Sequence, residues 1–300
     1  MRVKDQTLFL GIDGGGTHCR ARLEAADGRV LGAGVAGPAS MRFGFEKVKE
    51  SILDATRRCL AQAGLAQDAL AQTYAGIGVA GTGIIGAREA LESWRHPFAG
   101  AWFEGDAYLA FLGAFGGAPG GVVVAGTGSI GIAYLEKTVR VGGYGFPVSD
   151  EGSGAHIGVN AVRHALRTLD GRAEPSPFTQ ALLARFKQDV AAVIEWMRNA
   201  SATDYAGMAP IVVQYAGEGD PAARRIMQAA GMQIADLVEG LFKRGAPRVA
   251  LVGGLAEPLL PYMPEEVAQR LTPRQADAMA GGILLAKKKQ SLLADERECV

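Results

Sequence analysis

Two stretches of this chain share one plan: an apolar run, a turn made of glycines and hydroxyls, and an alternating strand that returns. The first is Leu-Phe-Leu-Gly-Ile-Asp-Gly-Gly-Gly-Thr, residues 8–17, followed by an alternating segment at 18–24. The second is the run at 122–125, then Gly126-Thr127-Gly128-Ser129, then 130–135 and a further strand at 138–141 after a turn at Glu136-Lys137. Short, β-prone runs bounded by glycine read as buried strands. A supersecondary unit repeated at this separation predicts two similar α/β domains, each opening on the same hairpin.

The turns carry the chemistry. Gly14, Gly15 and Gly16 have no Cβ, so positive φ is open to them and their N–H groups can approach an anion. Thr17 adds a hydroxyl donor. Asp13 would repel a phosphate placed directly against it, so in a phosphate site it faces a Mg²⁺ ion or its water shell. A hairpin that merely needs small residues is the plain alternative, and the second turn at Gly126, Thr127 and Gly128 weighs against it.

Composition narrows the classes. Three hundred residues with 48% apolar content supply two cores of ordinary size. Lys+Arg 31 against Asp+Glu 31 leaves no overall basic field, so neither nucleic acid nor an anionic membrane is the expected partner. Residues 1–6 run at once into the first strand, and no apolar run approaches membrane-spanning length, so a cytoplasmic protein is expected. Cys19, Cys59 and Cys299 are odd in number and scattered, which predicts free thiols rather than disulfides or a metal site. The Asn199 sequon is read as chance.

Between and after the hairpins, the first strand pair returns at 29–35, and apolar residues at Val48, Ile52, Ala55 and Cys59 predict a helix over 45–63. A buried strand at 74–80, a short helix at 87–94 and a strand at 101–104 follow. Gly105-Asp106 then opens a helix over 107–115. The glycine-rich stretch 116–121 marks the domain boundary, giving 1–116 and 117–273, with the C-terminal helix, about 274–300, packing back on the first domain. The second half continues as a glycine-rich loop (142–154) and helices at 156–169, 178–199, 207–216 and 222–244, the last with Asp220 as cap and Pro221 at its first position. A late strand at 249–252 ends at Gly253-Gly254, and a helix over 274–289 has Gly281-Gly282 in its middle.

The ordered set Ile12-Asp13-Gly14-Gly15-Gly16-Thr17, Gly105-Asp106-Ala107, Ala125-Gly126-Thr127-Gly128-Ser129, Gly142-Gly143-Tyr144-Gly145, Asp150-Glu151-Gly152-Ser153 and Val252-Gly253-Gly254 resembles the N-acetylglucosamine kinases of the BadF/BadG/BcrA/BcrD-type ATPases. That group lies within the sugar kinase, actin and heat-shock chaperone superfamily. The resemblance implies two ribonuclease-H-like (actin-like ATPase) domains, each a mixed sheet with flanking helices, separated by a cleft that holds ATP. It implies phosphate binding by Gly14, Gly15, Gly16, Thr17, Gly126, Thr127 and Gly128, and an Asp13 that orients Mg²⁺ through water. Asp106 stands at the catalytic base's place. Ser40, Asp106, Gly143, Tyr144 and Asp150 match sugar contacts, and Ala206, Gly253 and Gly254 the adenosine side. Ser40 followed by Met41 stands where such kinases usually carry an asparagine, so a short hydroxyl replaces a two-headed amide. The implied reaction moves the γ-phosphate of ATP to a hydroxyl, on C6, of N-acetylglucosamine, with glucosamine as the second choice. A small-molecule amino sugar is the implied partner, and a homodimer is compatible with it.

Plainer readings stand beside these. Asp106 would also serve as a helix N-cap. Of Asp150 and Glu151, one faces the site while the other does structural work, and Glu151 would cap the next helix. His156 and His164 lack spaced partner ligands, and Lys287-Lys288-Lys289 reads as a solvated helix end. Gly76 to Gly81 and Gly126 to Gly131 both match the dinucleotide pattern of an oxidoreductase, although the second leads into a strand rather than the helix a pyrophosphate needs. The activators of 2-hydroxyacyl-CoA dehydratases need cluster cysteines, and this chain has Val122-Val123-Val124 at the matching place. A non-catalytic sugar sensor would add a helix-turn-helix ahead of the first strand, and the zinc-binding cysteine cluster of another sugar kinase group is missing.

Overall fold

The computed structural model describes residues 7–298. Two compact units emerge, one running up to Ala118 and resuming at Pro273, the other spanning Pro119–Thr272.

The first unit is built on a five-stranded sheet of order β3-β2-β1-β4-β5. Its strands are β1 (Leu8–Gly14), β2 (Cys19–Ala25), β3 (Val30–Ala36), β4 (Thr73–Val79) and β5 (Gly100–Gly105). The first three form an antiparallel meander, while β4 joins β1, and β5 joins β4, in parallel. Both faces of β1 are covered, which is why its sequence is an unbroken apolar run. Leu8, Leu10 and Ile12 pack with Ile52, Ala55 and Cys59 of helix α1 (Phe45–Gln62), whereas Phe9 packs with Ile283 and Ala286 of the C-terminal helix (Ala278–Glu298). That helix lies against the sheet almost backbone to backbone. A Cβ on Gly76 of β4 would sit 2.0 Å from the Gly282 carbonyl oxygen, and one on Gly281 would sit 1.9 Å from that of Leu109. Gly281 and Gly282 thus stand in the opening turn of the helix rather than in its middle. The helix begins at Ala278 instead of 274 because the Asp277 carboxylate accepts the Ala280 N–H at 2.8 Å. Two shorter helices, α2 (Ala87–Glu92) and α3 (Asp106–Phe115), complete the unit, along with a 3-10 turn at Gln67–Gln72 that periodicity does not reveal.

The second unit repeats the beginning of the first. Strands β6 (Gly120–Ala125), β7 (Ser129–Tyr134) and β8 (Thr138–Val141) form a meander, and β9 (Val249–Val252) adds in parallel to β6, giving the order β8-β7-β6-β9. Its core gathers Val123, Ile157, Phe178, Met227, Ile234 and Leu241. Helix α4 (Gly154–Leu169) is followed by a correction to the expected single helix over 178–199. The segment is two helices, α5 (Pro177–Ala184) and α6 (Val190–Asn199). Lys187 and Gln188 take φ of 54° and 58°, and Asp189 caps the new start by accepting the Ala191 N–H. A short helix α7 (Ala202–Ala206), begun by a Ser201–Asp204 capping box, precedes α8 (Ala209–Gly217) and the long α9 (Pro221–Lys243), with α10 (Ala256–Leu259) and α11 (Glu265–Ala268) after β9.

Cys19 and Cys59 are free and buried in the core of the first unit, and Cys299 lies outside the described residues. Among the described residues, no helix is long and apolar enough to cross a membrane.

Candidate active site

In the first unit the candidate residues collect at the carboxyl ends of β1, β4 and β5, the usual ligand-binding edge of a parallel sheet. The register places Asp13 beside Gly78 of β4, and Gly105 beside Val79. A Cβ on Gly78 would come within 3.2 Å of the Asp106 Cα, so the bare strand lets the start of α3 approach β1. Asp106 is not the N-cap. Gly105 takes that position, and Asp106 is the first helical residue, its Oδ1 accepting the Ala107 N–H at 2.9 Å. Burial and then the nearby Asp13 carboxylate raise its pKa to about 6, against the lowering effect of the Ala107 N–H. The pKa of Asp13 is raised too, chiefly by burial; Arg20, directly opposite on β2, lowers it, and Asp277 adds to the rise. Two carboxyl groups that resist ionising together are a place where a cation is welcome.

The turn after β1 departs from expectation. Neither Gly14 nor Gly15 has positive φ. Gly14 is small because a Cβ there would meet the Gly78 carbonyl oxygen at 2.6 Å, and the Gly15 N–H closes the hairpin by donating to the His18 carbonyl at 2.9 Å. Gly16 and Thr17 form the bend itself, with Thr17 exposed. Ser40 is buried, bridged in parallel to Ala80 at the end of β4, and its hydroxyl oxygen accepts the Arg42 N–H.

In the second unit, Gly126 begins the turn between β6 and β7 and closes it by donating to the Gly128 carbonyl at 2.9 Å. The turn's own carbonyls receive α4: Gly154 N–H donates to Gly126 and Ala155 N–H to Thr127. Ala206, the last residue of α7, stands at the same place, since a Cβ on Gly154 would lie 3.1 Å from the Gly126 oxygen and 3.2 Å from the Ala206 Cβ. Gly253, with φ of 102°, lies against β6, where a Cβ would meet the Ala125 oxygen at 2.3 Å. One corner of this unit therefore gathers Gly126, Ala206 and Gly253.

The loop after β8 folds onto that turn. Asp150 is buried and holds φ of 66°; its Oδ1 accepts the Gly145 N–H at 3.1 Å, and its Oδ2 lies 2.7 Å from the point a Gly128 Cβ would occupy. Glu151 is exposed and does not cap α4, a role Ser153 fills by accepting the His156 N–H. Of the adjacent acids, Asp150 is the one turned inward. Tyr144 is 76% exposed, with the Arg140 guanidinium 4.7 Å from its ring centre, and Gly143 next to it has φ of 71°. The buried hydroxyls of Ser129 and Ser149, which fasten this loop, carry no sequence signal that would have singled them out.

The residues fit a nucleotide and a metal. A Cβ on Gly126 or on Gly254 would meet nothing within 4 Å, so both backbones face open space that a side chain would fill. Among the described residues no group of three or more His, Cys, Asp or Glu side chains is placed to hold a metal ion. The two acids of the first unit would therefore leave most positions of a cation to water and phosphate oxygens, which is how Mg²⁺ is commonly bound. The dinucleotide reading of 76–81 loses its basis, because Gly76 and Gly78 sit inside β4 and admit helices, not a pyrophosphate.

Comparison with known proteins identifies the family. The chain matches the BadF/BadG/BcrA/BcrD ATPase family over residues 10–277 and belongs to that family. The glucosamine kinase GspK of Vibrio cholerae is 34% identical over 283 residues, covering 94% of this chain and 96% of that protein. A solved structure of a candidate N-acetylglucosamine kinase from Chromobacterium violaceum is also 34% identical and superposes with a TM-score of 0.85, covering 93% of this chain and 98% of the other. A glucokinase of the ROK family from Streptomyces griseus, solved with glucose and AMPPNP, shares the fold at 18% identity, with a TM-score of 0.58 over 93% of this chain and 98% of that one. The fold is that of the actin-like ATPases and their sugar kinase relatives.

Proposed function

We propose that this member of the BadF/BadG/BcrA/BcrD ATPase family is an ATP-dependent amino sugar kinase that phosphorylates N-acetylglucosamine, with glucosamine as the second substrate, on the C6 hydroxyl. The observation that carries the reading is Asp106. Its carboxyl group stands at the end of a parallel strand beside a second acid, with a pKa of about 6. A base with that pKa is largely ionised at neutral pH yet still able to hold a proton.

Mg²⁺ and ATP, when bound, supply the γ-phosphoryl group and the positive charge that offsets its oxygens. The chain's own groups do the rest. Asp106 orients the attacking hydroxyl and accepts its proton, and Asp13 holds the water shell of the metal. Gly126, Thr127 and Gly128 offer a bare turn to phosphate. On the other turn Gly14 and Gly15 shape the hairpin, and Gly16 and Thr17 meet phosphate. Ala206, Gly253 and Gly254 form the flat corner for adenosine, supported by the open space over Gly254. Ser40, Gly143, Tyr144 and Asp150 contact the sugar. Positioning of this kind supplies most of the rate enhancement in phosphoryl transfer. The cytoplasm, where ATP and Mg²⁺ are held, is the compartment this reading implies.

The deciding measurement is ADP release with N-acetylglucosamine, glucosamine, N-acetylmannosamine, glucose and no sugar. Release that depends on one of the amino sugars is expected. Equal rates with and without sugar would overturn the kinase reading, and a preference for glucose would overturn the choice of substrate.

A further inference from the structure

Asp150 is held in a conformation that an aspartate rarely adopts, and the means of holding it lie at identifiable positions. Its φ of 66° lies in the left-handed region, which a residue with a Cβ seldom occupies and which persists only where neighbours over-determine it. Groups around it do so. The Asp150 carbonyl accepts the Ser153 N–H at 3.2 Å, and its Oδ1 accepts the Gly145 N–H at 3.1 Å. The buried Ser129 hydroxyl donates at 2.6 Å to the carbonyl of Glu151, the very next residue. The buried Ser149 hydroxyl donates to the Glu151 carboxylate at 3.2 Å and accepts the Tyr144 N–H at the same distance. Glu151 is thus pinned at both its main chain and its side chain, which holds the residue next to Asp150 in place.

Gly128 completes the arrangement. A Cβ there would have the three carboxyl atoms of Asp150 as its three nearest neighbours, Oδ2 at 2.7 Å and Cγ at 3.3 Å. Gly128 does not have positive φ, so nothing in its own backbone requires glycine. Its missing side chain is the space that the Asp150 carboxylate occupies. Ser129, the first residue of β7, follows it directly, so two consecutive residues at the end of the turn bear on Asp150, one by leaving room and the other by holding its neighbour.

From this we infer that Ser129 and Gly128 are positioning residues for sugar recognition, acting through Asp150 although Gly128 belongs to the turn assigned to phosphate and Ser129 directly follows it. The inference rests on the reading of Asp150 as a sugar contact. It makes the phosphate turn and the glycine-rich loop a single part, in which a change on one side is felt on the other.

Steady-state kinetics with N-acetylglucosamine and glucosamine, in single and double variants, test it. Asp150→Ala should raise the sugar KM by tenfold or more. Ser129→Ala should raise it at least fivefold while leaving the ATP KM within twofold, and Gly128→Ala should raise it similarly, by occupying the space of the carboxylate. The distinguishing result comes in the Asp150→Ala background, where neither Ser129→Ala nor Gly128→Ala should raise the sugar KM further, because the group they act through is already gone. Additive effects in that background, or an unchanged sugar KM in both single variants, would overturn the inference. An unchanged sugar KM in Asp150→Ala would instead overturn the assignment of Asp150 to the sugar. Far-UV circular dichroism and a thermal melt check that each variant folds; if Ser129→Ala does not, the Gly128→Ala pair of measurements decides alone.

Discussion

The Asp13 carboxylate bears directly on that of Asp106: after burial, it is the next cause that raises the Asp106 pKa to about 6. One acid thus keeps the other close to the pH at which it has to exchange a proton. Replacing Asp106 by Asn retains an oxygen for the Ala107 N–H but removes the proton acceptor. Turnover should fall by about 10²–10⁴-fold while nucleotide binding, followed by titration with a fluorescent ATP analogue, is retained. Full activity in Asp106→Asn would rule out the base role.

The same residue should be a liability for stability. The unfolded chain releases the Asp106 proton near 3.8 and the folded chain near 6, so between these values the folded state binds more protons and stability falls as pH rises. Above about pH 6 the whole cost is present, and the gap between the two values corresponds to about 3 kcal/mol. In metal-free buffer at pH 7.5, Asp106→Asn should therefore melt several degrees above the wild type, and the difference should vanish as the pH is lowered toward 4. A variant that loses activity and gains stability is the signature of a site held under electrostatic stress. An Asn variant that melts lower at neutral pH would contradict it.

Packing of the C-terminal helix gives a second stability test. The Gly76 Cβ position lies 2.0 Å from a backbone oxygen of Gly282, which cannot swing aside as a side chain would. Gly76→Ala should cost about 3 kcal/mol, read from denaturant unfolding. Gly217, at the exposed end of α8 with nothing within 4 Å of its Cβ position, is the control: Gly217→Ala should leave the midpoint unchanged or raise it.

That contrast also explains what could be read from the sequence. The meander that opens each unit was legible because a strand buried on both faces must be continuously apolar, and a tight turn must be small and polar. Asp106 was legible because an acid directly after a strand and before an apolar helix is conspicuous. The meaning of individual glycines was not. Gly76 and Gly78 match a dinucleotide pattern by spacing, yet what decides Gly76 is a helix some two hundred residues later in the chain and what decides Gly78 is the start of α3, and Gly14 is small for Gly78 rather than for an anion. The break in 178–199 was hidden for a related reason. Its apolar spacing continues across residues 185–189, and the left-handed Lys187 and Gln188 carry no glycine or proline to announce the turn. Ser129 and Ser149 look like any loop serine until the peptide they fasten is known.

Asp220 shows a residue whose first role was legible and whose second was not. As expected from the Asp-Pro pair, it caps α9, its Oδ1 accepting the Ala222 and Ala223 N–H groups at 2.9 and 3.1 Å. Its other oxygen accepts the Phe178 N–H at 3.1 Å, in the opening turn of α5, so one buried carboxylate satisfies the starts of two helices. Burial acts to raise its pKa, but the N–H donors of Ala223, Phe178 and Ala222, together with the Ser176 hydroxyl, outweigh it and hold the group below the ordinary carboxylate range. Its contribution is therefore present above the unfolded value near 3.8 and is lost as pH falls through the lower folded value. Asp220→Ala leaves three buried N–H groups without their acceptor and should cost about 3 kcal/mol at pH 7. Asp220→Asn keeps one acceptor oxygen and should cost less. For both variants, thermal melts compared with the wild type should show the largest difference near neutral pH and a shrinking one below pH 4. A difference that grows on acidification would mean that the carboxylate is not the acceptor these helices depend on.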